Sequence, residues 1–280
     1  MSAGGDAGPD NLDAATVRRF VEPSGPAFQR LVDVMARLRA PGGCPWDREQ
    51  THATLARHLV EETYEVLEAI DDGDPAALRE ELGDLVIQIV FHSNIAFEEG
   101  AFTIGDVLDD LRAKLVRRHP HVFGDVEVSG ADEVKANWER IKRTEKATAL
   151  YEGIPRALPA LARAAQMQRR TADAGFDWPD EEAAMAALVE EIGELRAELA
   201  KRSRDVDRLE AELGDVLFVA AAVGNRLGID PESALRRMLA RSEARVRTVE
   251  RLAAADGRDV RSLSPGEWRQ YWERANKENP

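Results

Sequence analysis

The sequence predicts an all-α protein built from two tandem copies of one helical unit, and three observations carry that prediction. Apolar residues recur at the i, i+3, i+4, i+7 spacing of helices between recognisable caps. Only Val126-Glu127-Val128 hints at a strand, and it is too short to build a sheet. Finally, the chain repeats itself: Val60–Glu65 returns as Val189–Glu194, and Glu81-Leu82-Gly83-Asp84 as Glu212-Leu213-Gly214-Asp215. Glu62 lies 129 residues before Glu191 and Glu81 lies 131 before Glu212, so the register drifts by two residues. A long-period repeat of this kind says more about architecture than any single motif within it.

Residues 1–25, rich in Gly, Ala, Asp and Pro without periodicity, read as a mobile tail. Ser24-Gly25-Pro26 then precedes Phe28, Leu31, Val32, Met35 and Leu38 on one helical face, and Pro41-Gly42-Gly43 stops that helix. A second helix is expected from near Thr51 to Gly73. Asp74-Pro75, a cap and a first-turn proline, opens a third that runs to Gly100. Thr103 with Asp106 has the spacing of a capping box for a fourth, which ends before Pro120. Pro155 and Pro159 in GIPRALPAL mark the joint between copies, giving domains at 26–150 and 151–280.

Composition narrows the function. The 280 residues carry 38 Lys+Arg against 52 Asp+Glu, a formal charge of −14. Such a chain repels the phosphate backbone, so nucleic acid is not the expected partner. Its 44% hydrophobic content excludes wholesale disorder. A single cysteine, Cys44, excludes a disulfide framework or a cysteine-rich zinc module and suits a reducing compartment. MSAGGDAGPD does not read as a signal peptide, and the apolar run Val216–Val223 falls far short of the ~20 residues of a membrane span. A cytoplasmic protein is expected.

The chemistry concentrates in acids. Glu62 and Glu65 share a helical face, and Glu61 pairs with Glu65 at i, i+4. Taken alone, this is a solvated acidic face. Asp84 and Asp215, however, sit in the apolar runs LGDLVIQIVF and LGDVLFVAAAV, where a carboxylate must be paired, protonated or bound to metal. Gly83 and Gly214 sit mid-helix at a cost of ~1 kcal/mol against Ala, which a close helix approach would explain. Antiparallel packing across the DDGD turn brings Glu62 and Glu65 to face Glu81 and Asp84. An all-oxygen set of four carboxylates suits Mg²⁺ or Mn²⁺; the competing explanation is a set of buried Glu–Arg pairs.

Cations follow in each copy: Lys114 and Arg118 at i, i+4, and Arg241 and Arg245 in the corresponding place. Beside a metal these hold phosphate oxygens; on a wet surface they merely pair with acids. Trp138 with Lys142 adds a flat surface and a further charge. Metal and cationic clamps together point to a nucleoside polyphosphate, bridged to an acidic protein by Mg²⁺. No GxxxxGK[ST] or GxGxxG motif is present.

GGCPWDREQTHATL, LVEETYEVLEAI, EELGDLVIQIVFH, KLVRRHPHVFGD and NWERIK together resemble the MazG family of nucleoside triphosphate pyrophosphohydrolases in its tandem form. GIPRALPALARAAQMQRR, GFDW, VEEIGEL and ELGDVLF resemble its second domain. The likeness covers roughly residues 26–278. It implies helix bundles completed by a partner subunit, and the reaction NTP + H₂O → NMP + pyrophosphate with Mg²⁺ and broad base tolerance. It also implies Glu191, Glu194, Glu212 and Asp215 as metal ligands in the second domain and Glu62, Glu65, Glu81 and Asp84 in the first. Glu190 and Glu61 are then the extra acids that orient or deprotonate water, while Arg241, Arg245 and Trp272 contact nucleotide. Two positions depart from the pattern. Asn276 stands where the family has Lys, with Lys277 one step late, and Arg241 replaces a Lys. The resemblance places activity mainly in the second domain. Rival readings are a narrow hydrolase for a non-standard or dCTP/dUTP-type nucleotide, and a non-catalytic nucleotide-binding regulatory dimer.

Overall fold

The fold comes from a computed structural model that describes residues 15, 17–145 and 149–278. Among these residues there are helices and no strands, and the chain divides into two compact units, residues 1–146 and 147–280. The first contains α1 (Glu22–Arg39), α2 (Pro45–Glu49), α3 (His52–Asp72), α4 (Pro75–Glu98), α5 (Ile104–Arg118), α6 (Pro120–Phe123) and α7 (Ala131–Glu145). The second contains α8 (Ala160–Asp173), α9 (Glu181–Leu199), α10 (Val206–Arg226), α11 (Pro231–Ala255) and α12 (Pro265–Glu278), with a 3₁₀ turn at Val260–Ser262.

Local chemistry fixes the hairpin that matters in each unit. The Thr51 and Thr54 side chains cap each other's backbone to start α3, and Gly73 ends it in the left-handed conformation at φ 67°. Asp74 then accepts from the Ala76 and Ala77 N–H groups and Pro75 takes the first turn, so α4 folds back along α3. The second unit builds the same hairpin from α9 and α10. Asp180 caps α9 through Ala183 N–H, and Asp205 caps α10 through Asp207 and Arg208.

Behind the first hairpin, Met35, Leu55, Val90, Phe91 and Ile95 form the core, with Phe28, Leu31, Val32 and Val86 against it. Arg39, whose side chain is only 5% exposed, ties the end of α1 to the Asp47 and Gln50 carbonyls and to Glu98 of α4 at 2.6 Å. In the second unit the core joins Val249, Leu252 and Ala253 of α11 to Leu263, Tyr271 and Ala275. Asn225 stitches α10 to α8, donating to the Ala165 carbonyl at 2.8 Å and accepting from Arg169 at 2.7 Å.

Two sequence expectations need correction. Helix begins ahead of Ser24-Gly25-Pro26 and within the expected tail: a π-helical turn at Val17–Val21 leads directly into α1 at Glu22, with Pro23 tolerated in its first turn. Residues 1–14 and 16 of the expected tail lie outside the described residues. Gly83 and Gly214 do not mark a close helix approach within the chain, since a Cβ at either would meet nothing within 4 Å. Both glycines lie on open ground among exposed Val60, Tyr64, Leu82 and Ile87 in the first unit and Val189, Ile192, Leu213 and Leu217 in the second.

Candidate metal and nucleotide site

The antiparallel hairpin turns two pairs of acids toward each other. Carboxylate oxygens of Glu62 on α3 and of Glu81 and Asp84 on α4 lie within 4.8 Å of one another. In the second unit Glu191 and Glu194 on α9 and Glu212 on α10 lie equally close. The fourth acid of each set is near at hand. Glu65 acts on both Glu62 and Glu81, and Asp215 is the strongest charge acting on Glu191.

Electrostatics show how uncompensated these clusters are. Partial burial, followed by Asp84, Glu65 and Glu81, pushes the Glu62 carboxyl above the usual range. Glu81 is raised by burial and then by Glu65 and Asp84, with Glu80 and Glu68 adding to it. Burial, then Asp215, Glu194, Glu212 and Glu190, raises Glu191 in the same way. Glu212 is raised by burial, Glu194, Asp215 and Glu198, and Arg208 offsets only part of this. Like charges held this close are stable when a cation sits among them. Mg²⁺ with oxygens at ~2.0–2.1 Å asks for this kind of donor set, so the residues fit a hard divalent ion. The alternative of buried Glu–Arg pairs does not describe the clusters: no arginine hydrogen-bonds to these eight acids among the described residues.

The remaining residues are placed unevenly. Glu61 is 2.9 Å from His58 Nδ1, whereas Glu190, with Ala187 where the first unit has His58, adds its charge to Glu191. Lys114, Arg241 and Lys277 are exposed and Arg245 is half-buried. None of these four cations has a hydrogen bond or ion pair with a cluster acid among the described residues. The Arg118 guanidinium lies over the Trp138 ring at 5.2 Å, and His119 meets the same ring edge-on at 4.9 Å. Trp272 is half-buried against the second unit's core. The Lys142 side chain lies outside the described residues. Sequence reasoning missed Glu198, an acid whose side chain is 9% exposed, bonded to Lys201 and, at 3.4 Å, to Arg208. Its signal was present: it continues the face of Glu191 and Glu194 at i+7 and i+4.

A family profile, the MazG nucleotide pyrophosphohydrolase domain, matches residues 50–123 and again 180–249, each span containing one cluster. The chain belongs to the MazG family. A relative from Thermotoga maritima named nucleoside triphosphate pyrophosphohydrolase/pyrophosphatase MazG is 42% identical over 91% of this chain and 98% of its own. The Escherichia coli K12 nucleoside triphosphate pyrophosphohydrolase is 42% identical over 90% of this chain and 97% of its own. The crystal structure of a mazG-related protein from Thermotoga maritima aligns with TM-score 0.36 and 28% identity over 41% of this chain and 98% of that one.

Proposed function

We propose that this MazG-family protein hydrolyses nucleoside triphosphates, ribo- and deoxyribo-, to the monophosphate and pyrophosphate, mainly in its second unit. The convergence of Glu191, Glu194 and Glu212 within 4.8 Å, with no arginine bonded to them among the described residues, carries this reading. These three with Asp215 would hold Mg²⁺, Mn²⁺ being a substitute, and the ion when bound supplies charge neutralisation at the phosphates and a more acidic water. Glu190 accepts the proton of the water that attacks the α-phosphorus. Arg241 and Arg245, exposed or half-buried and with no acidic partner among the described residues, receive the phosphate oxygens, and Lys277 adds charge at the edge. Trp272 offers a ring face that does not distinguish bases, in keeping with broad tolerance.

The preference for the second unit is supported by the different state of the extra acid: Glu61 is engaged by His58, whereas Glu190 has Ala187 in place of that histidine and adds its charge to Glu191. In the first unit Glu62, Glu65, Glu81 and Asp84 form a second divalent-ion site, with Lys114, Arg118, Trp138 and Lys142 as its nucleotide side. The apolar ground around Gly83 and Gly214 supports packing against a second copy of the chain, giving a homodimer or higher homo-oligomer. No helix among the described residues is long and apolar enough to cross a membrane, in keeping with the cytoplasmic placement we propose. The reaction is tested by following Mg²⁺-dependent release of pyrophosphate separately from orthophosphate. Pyrophosphate as the initial product supports attack at the α-phosphorus; orthophosphate overturns it.

A further inference from the structure

Above the first carboxylate cluster, His52 at the start of α3 meets His92 on α4. The rings are inclined by 5° with centroids 5.0 Å apart, and their Nδ1 atoms are 2.7 Å apart. That centroid separation equals the N···N distance plus one ring radius at each end. The two nitrogens therefore lie on the line of centres, and their lone-pair directions meet head-on. A metal ion on that line would need the nitrogens two bonds of ~2.0–2.1 Å apart, so the gap is too short for one. It is the length of an N–H···N hydrogen bond, and it has room for one hydrogen.

We propose that His52 and His92 share a single proton and act as a pH-responsive clip across the hairpin that carries the first carboxylate cluster. Of the four ring nitrogens, the two Nδ1 atoms have one hydrogen between them. His52 Nε2 faces Glu99 at 3.8 Å, and His92 Nε2 is buried without a partner. The neutral pair thus accommodates one added proton at an outer nitrogen. A second would put two hydrogens into the Nδ1 gap and force the rings apart.

In the unfolded chain both rings protonate near pH 6.5. The folded pair therefore binds one proton fewer at acid pH. Stability rises with pH wherever the unfolded state binds more protons, so the first unit loses stability as pH falls below about 6.5. The loss approaches tenfold in its folded-to-unfolded ratio per pH unit. Burial and the neighbouring His52 both disfavour the charged form of His92, in the same direction.

Charged groups on the neighbouring elements are held by other partners, and His58, the other histidine of α3, pairs with Glu61 at 2.9 Å. Arg39 of α1 is committed to Glu98, Arg48 of α2 acts on Glu98, and Asp106 of α5 is held by Thr103. Glu99 is the acid that faces the pair, and it faces His52. Gln88 Oε1, one turn before His92, is likewise buried without a partner among the described residues. The second unit has Glu181, Val223 and Val219 at the positions of His52, His92 and Gln88, so the clip belongs to the first unit alone.

The test uses the intact protein labelled with ¹⁵N at its five histidines, titrated by NMR from pH 8 to pH 5. We expect His52 and His92 to take up one proton between them across this range, in a coupled step. Two independent single-ring titrations near pH 6.5 would overturn the proposal. The variant His52→Ala, made at a side chain 45% exposed so that no core is emptied, supplies the second readout. Wild type should exceed it in first-unit Tm at pH 8, and the difference should shrink toward zero at pH 5. An equal difference at both pH values would show an ordinary contact and overturn the shared proton.

Discussion

Adding Mg²⁺ to the metal-free protein should raise the unfolding temperature of the second unit, and Asp215→Asn should abolish most of that rise. In the folded, metal-free state Glu191 and Glu212 titrate above their ordinary range because burial and their acidic neighbours oppose the charge. Without metal, stability therefore declines as pH rises from the unfolded value of about 4.5 through the raised folded value. A cation reverses that penalty. At 100 times its dissociation constant it adds about 2.7 kcal/mol. The second unit spans residues 147–280. For about 130 residues the unfolding entropy is roughly 0.28 kcal/mol/K, so the midpoint should move up by about 10 °C. Differential scanning calorimetry at pH 8 with and without Mg²⁺ reads this directly. Asp215→Asn should leave the metal-free midpoint unchanged or raised, because it removes the strongest charge opposing Glu191. If the variant kept the full Mg²⁺-induced rise, or if wild type showed none at saturating metal, the four acids would not be the ion's ligands.

Other outcomes follow from the same interactions. Asp74→Ala removes the cap that starts α4 and should cost about 1 kcal/mol, read as a lower midpoint for the first unit in urea. Leu55→Ala, at a side chain 1% exposed, should cost about 2–5 kcal/mol in the same unit. Glu267 is held at about 2 by the Ser264 N–H and hydroxyl and by Arg258. Its contribution is therefore present above pH 4.5 and lost as pH falls toward 2. Glu267→Gln should lower the second unit's Tm by a few degrees at pH 7, and the gap from wild type should close in acid.

The parts of this fold legible in the sequence were those set by local chemistry. Thr51, Asp74 and Thr103 fix helix starts by bonding to backbone within three residues, so their spacing alone reveals α3, α4 and α5. The acidic pairs were legible because a hairpin with a short turn leaves few ways to align two helices. The start of α1 was not, since Pro23 and Pro26 are compatible with either the first turn of a helix or its prevention. The openness around Gly83 and Gly214 depends on what other helices do, and helical periodicity does not report it. Glu198 reads as one more solvent-facing acid until Lys201 and Arg208 close over it. The His52–His92 contact joins residues forty apart through the register of two helices, with no motif to announce it.

The most direct test of the account is Mg²⁺-dependent pyrophosphate release across the eight common NTPs and dNTPs, for wild type, Asp215→Asn and Asp84→Asn. We predict pyrophosphate from most of these substrates in wild type, lost in Asp215→Asn and largely retained in Asp84→Asn. Loss in Asp84→Asn alone would contradict the assignment of activity to the second unit, and orthophosphate as the initial product would contradict the reaction itself.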